Sequence, residues 1–195
     1  WSPEKLTEDV DISWKLQLAG WEVRFEPRAL CWILMPETLR GLWKQRLRWS
    51  MGGTQVLADY LPEIFSLKNL RLWPLFIEYS ASILWACLFM LLMLYRTADL
   101  IFYKIDLQSS PMLMLGWAGL LIGTTCLLQI MLSLVLDRRY DRGLLKNYFW
   151  MIWYPIVYWL LTAATAVAAL PKTFFRDSEK RARWTSPDRG ITPSR

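Results

Sequence analysis

A chain of 195 residues that is 54% hydrophobic, carries thirteen tryptophans and a net charge of +6, and contains no histidine is not an ordinary soluble domain. Without histidine, neither a histidine-ligated zinc site nor a Ser-His-Asp triad can be assembled from it, and three cysteines (Cys31, Cys87 and Cys126) give no disulfide framework. The positive charge flanks long apolar runs, so anionic lipid and the positive-inside rule account for it better than nucleic acid does.

Residues 1–37 read as the end of a cytoplasmic α/β domain. The chain enters mid-pattern at Trp1, with no leader, which suggests the C-terminal part of a longer polypeptide. In TEDVDISWKLQLAGW (residues 7–21), Val10, Trp14, Leu16 and Leu18 fall mostly at helical spacing behind a capping-type Thr-Glu-Asp, and Gly20 fits a helix C-terminus. WEVRFEPRALCWILMP (21–36) alternates Trp21, Val23 and Phe25 before Pro27, a pattern that predicts one or two short strands with a turn.

Residues 38–72 predict interfacial helices. Leu39, Leu42, Trp43 and Leu47 occupy one side, with Arg40, Lys44, Arg46 and Arg48 around the rest, a segment too charged to span a bilayer but suited to its surface. Gly52-Gly53 offers a stop or a bend before the less basic TQVLADYLPEIFSLKNLRL (54–72).

A transmembrane region follows over 73–170. About 20 apolar residues rising about 1.5 Å each cross the hydrocarbon core, and the runs 73–95, 112–136 and 147–170 all meet that length. The loop 96–111 carries only Arg96 and Lys104, whereas 137–146 carries Arg138, Arg139, Arg142 and Lys146, so the N-terminal part is placed in the cytoplasm. The basic tail, 171–195, belongs inside by charge and outside after three crossings; the run 147–170, interrupted by Pro155, is the candidate for a re-entrant segment. Glu78, an ionisable group within the first span, is a functional candidate by default. Aromatic residues of 148–159 suit either an interfacial belt or a sugar-lined path.

Two short stretches carry chemistry. Thr7-Glu8-Asp9 reads either as a helix N-terminal cap with dipole-compatible acids or as the site of a general base within reach of an attacking hydroxyl. Gln45, Arg48 and Trp49 stand at i, i+3 and i+4 and share one helix face. An amide, a guanidinium and an indole together suit hydroxyls, a diphosphate and a sugar ring; the alternative is lipid-facing Trp and snorkelling Arg.

TED followed by QxxRW on an interfacial helix and then by membrane spans resembles the processive family-2 glycosyltransferases, the cellulose, hyaluronan and poly-N-acetylglucosamine synthases. The stretches FEPRALCWILMPETLRGLWKQRLRW, YDRGLLKNYFWMIWYP and RARWTSPDRGI are most similar to the catalytic subunits of bacterial poly-β-1,6-N-acetyl-D-glucosamine synthases. The resemblance implies an α-helical membrane protein that begins with the end of a GT-A type α/β domain. It also implies processive, inverting polymerisation of N-acetylglucosamine from UDP-GlcNAc into a biofilm exopolysaccharide, translocated through the chain's own helices. Asp9 would be the catalytic base, Thr7 and Glu8 would lie near the acceptor, and Gln45, Arg48 and Trp49 would cover donor pyrophosphate and acceptor sugar. Mg²⁺ would be held by residues preceding Trp1; the Asp9-x-Asp11 pair inside the TED segment is not expected to hold it. A bacterial inner-membrane location, a small two-span membrane subunit and cyclic di-GMP as partners come from the same resemblance. A cellulose or hyaluronan synthase, and a non-catalytic cyclic-di-GMP-responsive membrane subunit, are the alternatives.

Overall fold

The structure is a computed structural model that describes residues 2–26, 28–31, 33, 35–102, 112–175 and 181–182, with backbone alone at 100, 112–118, 152 and 155. Among the described residues, six α-helices run in the order α1 (Glu8–Leu18), α2 (Leu39–Asp59), α3 (Leu61–Ile64), α4 (Trp73–Phe102), α5 (Met112–Asp137) and α6 (Tyr154–Phe174). Short 3₁₀ segments cover Leu67–Leu72, Leu144–Asn147 and Trp150–Ile152. The chain divides into two compact units, Trp1–Met90 with Thr162–Arg195, and Leu91–Leu161.

Helix α1 ends as its sequence predicts. Gly20 takes φ +90°, a left-handed conformation that glycine adopts without a Cβ penalty. The Trp21 N–H then donates to the Leu16 carbonyl at 2.9 Å and the Gly20 N–H to Gln17 at 3.1 Å, closing a Schellman motif. Beyond it the strand expectation fails: none of the described residues in 21–36 is in a strand. Trp21, Val23 and Phe25 are exposed, Phe25 to 91%. Alternation prepares a strand, but a strand forms only against a partner ladder, and the described residues of this segment have none.

Helix α2 starts at Thr38, whose Oγ1 accepts the Gly41 N–H at 3.0 Å, an N-cap bond. It then passes through Gly52-Gly53 without stopping, contrary to the expected break. A Cβ at Gly52 would stand 2.5 Å from the Thr7 side chain, and one at Gly53 would stand 1.7 Å from the Tyr79 hydroxyl. Both glycines therefore admit close neighbours rather than end the helix. Their helix-weakening tendency is overridden by packing.

The core of the first unit is Trp14, Val56 and Ile64, surrounded by Val10, Leu57, Tyr60, Trp73 and Phe76. The Trp73 indole N–H donates to the Ile64 carbonyl at 2.9 Å, so the start of α4 is tied to this core. Helices α4, α5 and α6 each contain a stretch long and apolar enough to cross a membrane. The first run is helical well past residue 95, to Phe102. The third begins later than expected, because 144–152 forms 3₁₀ turns and Pro155 is the second residue of α6. Proline is tolerated in a first helical turn, where its missing N–H has no partner to lose, so Pro155 starts the helix instead of interrupting it. Ala163, Thr165 and Ala169 are buried along the later part of α6, where small side chains allow close packing. The tail begins beside the N-terminal segment: the Ala182 N–H donates to the Pro3 carbonyl at 2.9 Å.

Candidate functional site

The chain at the start of α1 rests on α2 through Leu6 and Thr7, and no hydrogen bond or ion pair joins Asp9 to Gln45, Arg48 or Trp49 among the described residues. Arg48 donates from Nη1 to the Leu6 carbonyl at 2.8 Å, gripping the chain immediately before Thr7. One turn further along α2, the bare Cα of Gly52 receives the Thr7 side chain. The spacing 48 to 52 is one helical turn, so the segment is held at two consecutive points along α2.

Thr7 occupies the N-cap position of α1 yet makes no side-chain cap bond, so half of the capping expectation is not realised. Its side chain is buried, at 7% exposure, and Oγ1 has no hydrogen-bond partner among the described residues. Glu8 and Asp9 are exposed in the first turn. Asp9 Oδ1 accepts its neighbour's N–H, that of Val10, at 2.9 Å, and Oδ2 has no hydrogen bond or ion pair among the described residues. An acidic first turn suits the positive end of the helix dipole. Asp9 therefore presents a carboxylate oxygen to the surroundings.

On α2, Gln45 is buried to 8% exposure with Oε1 unpartnered. A buried acceptor of this kind is expensive to leave unmade, commonly about 1–3 kcal/mol. Trp49 is partly exposed, and the Arg46 guanidinium lies 4.4 Å from its ring centroid. Cation–π contact holds that indole face, so Arg46 joins the motif although the sequence reading passed over it. Its i, i+3 spacing to Trp49 was the available signal.

Asp11 is a second residue given little weight in the sequence. It is 1% exposed, accepts the Tyr60 hydroxyl at 2.7 Å and pairs with Lys15 at 2.9 Å. Burial alone would raise its carboxyl; hydrogen bonds from Tyr60, Lys15 and Ser2 outweigh that and hold it below its ordinary value. Burial and the neighbouring Asp11 carboxylate push the Tyr60 phenol up. The i, i+4 pairing with Lys15 was legible in sequence, whereas Tyr60, remote along the chain, was not.

The family model for glycosyl transferase family group 2 matches residues 1–170. The chain belongs to that family. Among its curated relatives is a poly-beta-1,6-N-acetyl-D-glucosamine synthase of Staphylococcus epidermidis, 38% identical over 193 residues that cover 97% of this chain and 46% of the relative. A synthase of the same name from Staphylococcus aureus strain COL is 38% identical over 195 residues, covering 98% of this chain and 47% of the relative. The chain thus spans about half the length of the curated relatives it matches. No solved structure matches it.

Members of glycosyl transferase family group 2 generally use a divalent cation. Among the described residues, no three His, Cys, Asp or Glu side chains cluster as metal ligands. Asp11 is already engaged by an ammonium and a phenol, which removes the Asp9-x-Asp11 pair as a chelate. The described residues do not fit a Mg²⁺ site.

Proposed function

We propose that this chain forms the acceptor-side and membrane part of a processive inverting glycosyltransferase that polymerises N-acetylglucosamine from UDP-GlcNAc into poly-β-1,6-N-acetylglucosamine, a biofilm exopolysaccharide. The observation that carries the reading is the seating of the Thr7-Glu8-Asp9 segment on α2 beside Gln45-x-x-Arg48-Trp49, by the Arg48–Leu6 bond and the Thr7–Gly52 contact. Membership of glycosyl transferase family group 2 and the name carried by the staphylococcal relatives support the reaction class and the sugar.

In this reading the Asp9 carboxylate takes the proton from the terminal sugar hydroxyl of the growing chain. That oxygen attacks the anomeric carbon of the donor from the face opposite UDP; the glycosidic bond forms, the bond to the diphosphate oxygen breaks, and UDP leaves with the electron pair. A base placed by geometry needs reach more than an unusual proton affinity. Thr7 and Glu8 border the acceptor. Gln45 supplies an acceptor oxygen for a sugar N–H or O–H, and Trp49 a flat surface for a pyranose ring. Arg48 uses one N–H group on Leu6 and has others in its planar fork for a donor phosphate.

The polymer's path follows the apolar helices, on which Tyr154 and Tyr158 stack at 4.9 Å and offer a face along which sugar rings slide. Glu78, exposed on α4, is proposed separately as an ionisable group that meets polymer. The setting is the bacterial cytoplasmic membrane, with the TED segment on the cytoplasmic side. The domain division 1–37, 38–72, 73–170 and 171–195 belongs to the same proposal. A small two-span membrane subunit and cyclic di-GMP are the proposed partners, the latter for arginines of 137–146, where Arg139 lies 4.6 Å from the Tyr140 ring centroid, or for those of the tail.

Membranes containing the gene's full product, supplied with radiolabelled UDP-GlcNAc or UDP-glucose, test the proposal. Polymer is expected from UDP-GlcNAc alone. Asp9→Asn is expected to insert normally and lose synthesis by about 10²- to 10⁴-fold, the usual contribution of a general base. Glucose-only polymer would remove the sugar assignment, and full activity in Asp9→Asn would remove the base.

A further inference from the structure

Helix α1 has eleven residues. A helix of that length is marginal on its own, so its orientation must come from what it packs against. Asp9 and Asp11 are two residues apart, which at about 100° per residue places them on opposite sides of the helix. The exposures agree with this: Asp11 is buried and Asp9 is exposed. Whatever fixes the rotation of α1 at Asp11 therefore also fixes where Asp9 points.

We propose that Tyr60 and Asp11 form a positioning pair that sets the rotation of α1 on α2 and so aims the Asp9 carboxylate. Tyr60 is the C-cap of α2, and its own N–H is bonded to Val56, so its hydroxyl has a firm origin. Its ring stacks on Trp14, centroids 6.1 Å apart, within the core that also holds Val56 and Ile64. From there the hydroxyl reaches 2.7 Å to Asp11 Oδ1, while Oδ2 meets the Lys15 ammonium, which also reaches the Ser2 hydroxyl. The carboxylate is thus bound on two sides in a buried place. A deviation of the helix about its axis would break the Tyr60 bond before it moved Asp9 far. Arg48 and Gly52 hold the segment ahead of Asp9, and the Tyr60–Asp11 bond holds the turn behind it.

Neither residue touches the proposed reacting atoms, and the claim that they act on turnover rests on the synthase reading. Two measurements separate the two. In membranes of the full product, Tyr60→Phe removes the hydroxyl alone; kcat for UDP-GlcNAc is expected to fall about tenfold with KM within about twofold, since small misplacements of a catalytic group affect rate more than donor binding. Asp11→Ala is expected to fall further. Asp11→Asn, which keeps an oxygen for the Tyr60 hydroxyl, should retain more activity than either. Hydrogen exchange of the same variants in lipid nanodiscs needs no turnover: Tyr60→Phe should speed exchange in residues 8–18 and leave 39–50 unchanged. Unchanged exchange in 8–18 overturns the positioning pair whether or not polymer is made. An unchanged kcat, or a rise in KM alone, overturns its link to the reaction. A wild-type protein without polymer from UDP-GlcNAc sinks the synthase reading and leaves the exchange result to decide the pair.

Discussion

The seat of α1 on α2 and the long helices α4 and α5 break the usual rule of burial in opposite directions. In the seat, polar groups are inside: Asp11, Thr7 and Gln45 are all buried, the last two with oxygens that have no partner among the described residues. On α4 and α5, apolar groups are outside: Leu84, Leu88, Leu91, Leu120 and Leu132 are exposed, and only 6% of each candidate span is buried. In water every such leucine would forgo about 1.5–3 kcal/mol of burial. A hydrocarbon surrounding removes that loss, whereas no surrounding solvent reaches the orphaned oxygens of the seat. One region has the length and apolar surface that suit a hydrocarbon surrounding, and the other keeps two buried oxygens without a partner among the described residues.

The sharpest way to break this contrast is to charge the apolar side. Leu88→Lys places an ammonium on the exposed face of α4. In lipid it is expected to weaken insertion by about 2.5–3.5 kcal/mol, which an insertion reporter reads as a loss of more than tenfold. The same change on a water-facing helix would leave insertion and folding untouched, and that result would end the lipid assignment.

A smaller change tests the seat. Gly52→Ala should favour α2 as a helix by up to about 1 kcal/mol, because alanine is the better helix former. It must also push Thr7 aside, since its Cβ would sit 2.5 Å from the Thr7 Oγ1 and 2.9 Å from its Cβ. The expected outcome is a protein somewhat less heat-stable than the parent, since overpacking a buried side chain costs about 1–3 kcal/mol, with polymer synthesis lowered tens of fold. Unaltered synthesis would show that Thr7 has room to move without consequence.

Acid titration sharpens the same region. Asp11 has its carboxyl held below its ordinary value of 3.8, so the stabilisation it supplies is fully present above that pH and is lost as pH falls through the lower, folded value. Melting curves should show a loss below about pH 4 that is shallower in Asp11→Asn, where the group cannot titrate. Equal acid slopes in the two proteins would mean that the carboxylate contributes nothing specific.

Periodic and local features were readable before the fold. Gly20 as a helix end, the one-face set Gln45, Arg48 and Trp49, and three apolar runs all follow from spacing alone, because each is decided within a turn or two of chain. What was not readable depended on distant partners. Gly52-Gly53 looks like a break until Thr7 and Tyr79 are placed against it. The alternation in 21–36 looks like a strand until the described residues show no ladder beside it. Asp11 looks like one more acid in a first turn until Tyr60, at |i−j| = 49, reaches it. Pro155 differs: its effect depends on whether it stands in the first turn or in the middle of a helix, and α6 starts at Tyr154, seven residues after the apolar run begins.

Arg71 gives the smallest expected effect and separates the cations of this region by what they hold. Its guanidinium donates to the Gln17 carbonyl at 2.6 Å and the Trp21 carbonyl at 3.2 Å, at the C-terminus of α1, where the Gln17 carbonyl also accepts the Gly20 N–H. Positive charge there also meets the negative end of the helix dipole. Arg71 is exposed, so solvent competes for these bonds, and Arg71→Met is expected to lower stability by only about 0.5–1 kcal/mol. Limited proteolysis should read the change as faster cleavage within 21–26, the exposed segment that follows Gly20, with cleavage elsewhere unchanged. Arg71→Lys should fall between, since the single nitrogen Nη2 makes both bonds and an ammonium nitrogen can keep part of that contact. If instead Arg71→Met protected 21–26, or altered cleavage only in distant segments, the arginine would be a lipid-headgroup contact rather than the cap of α1.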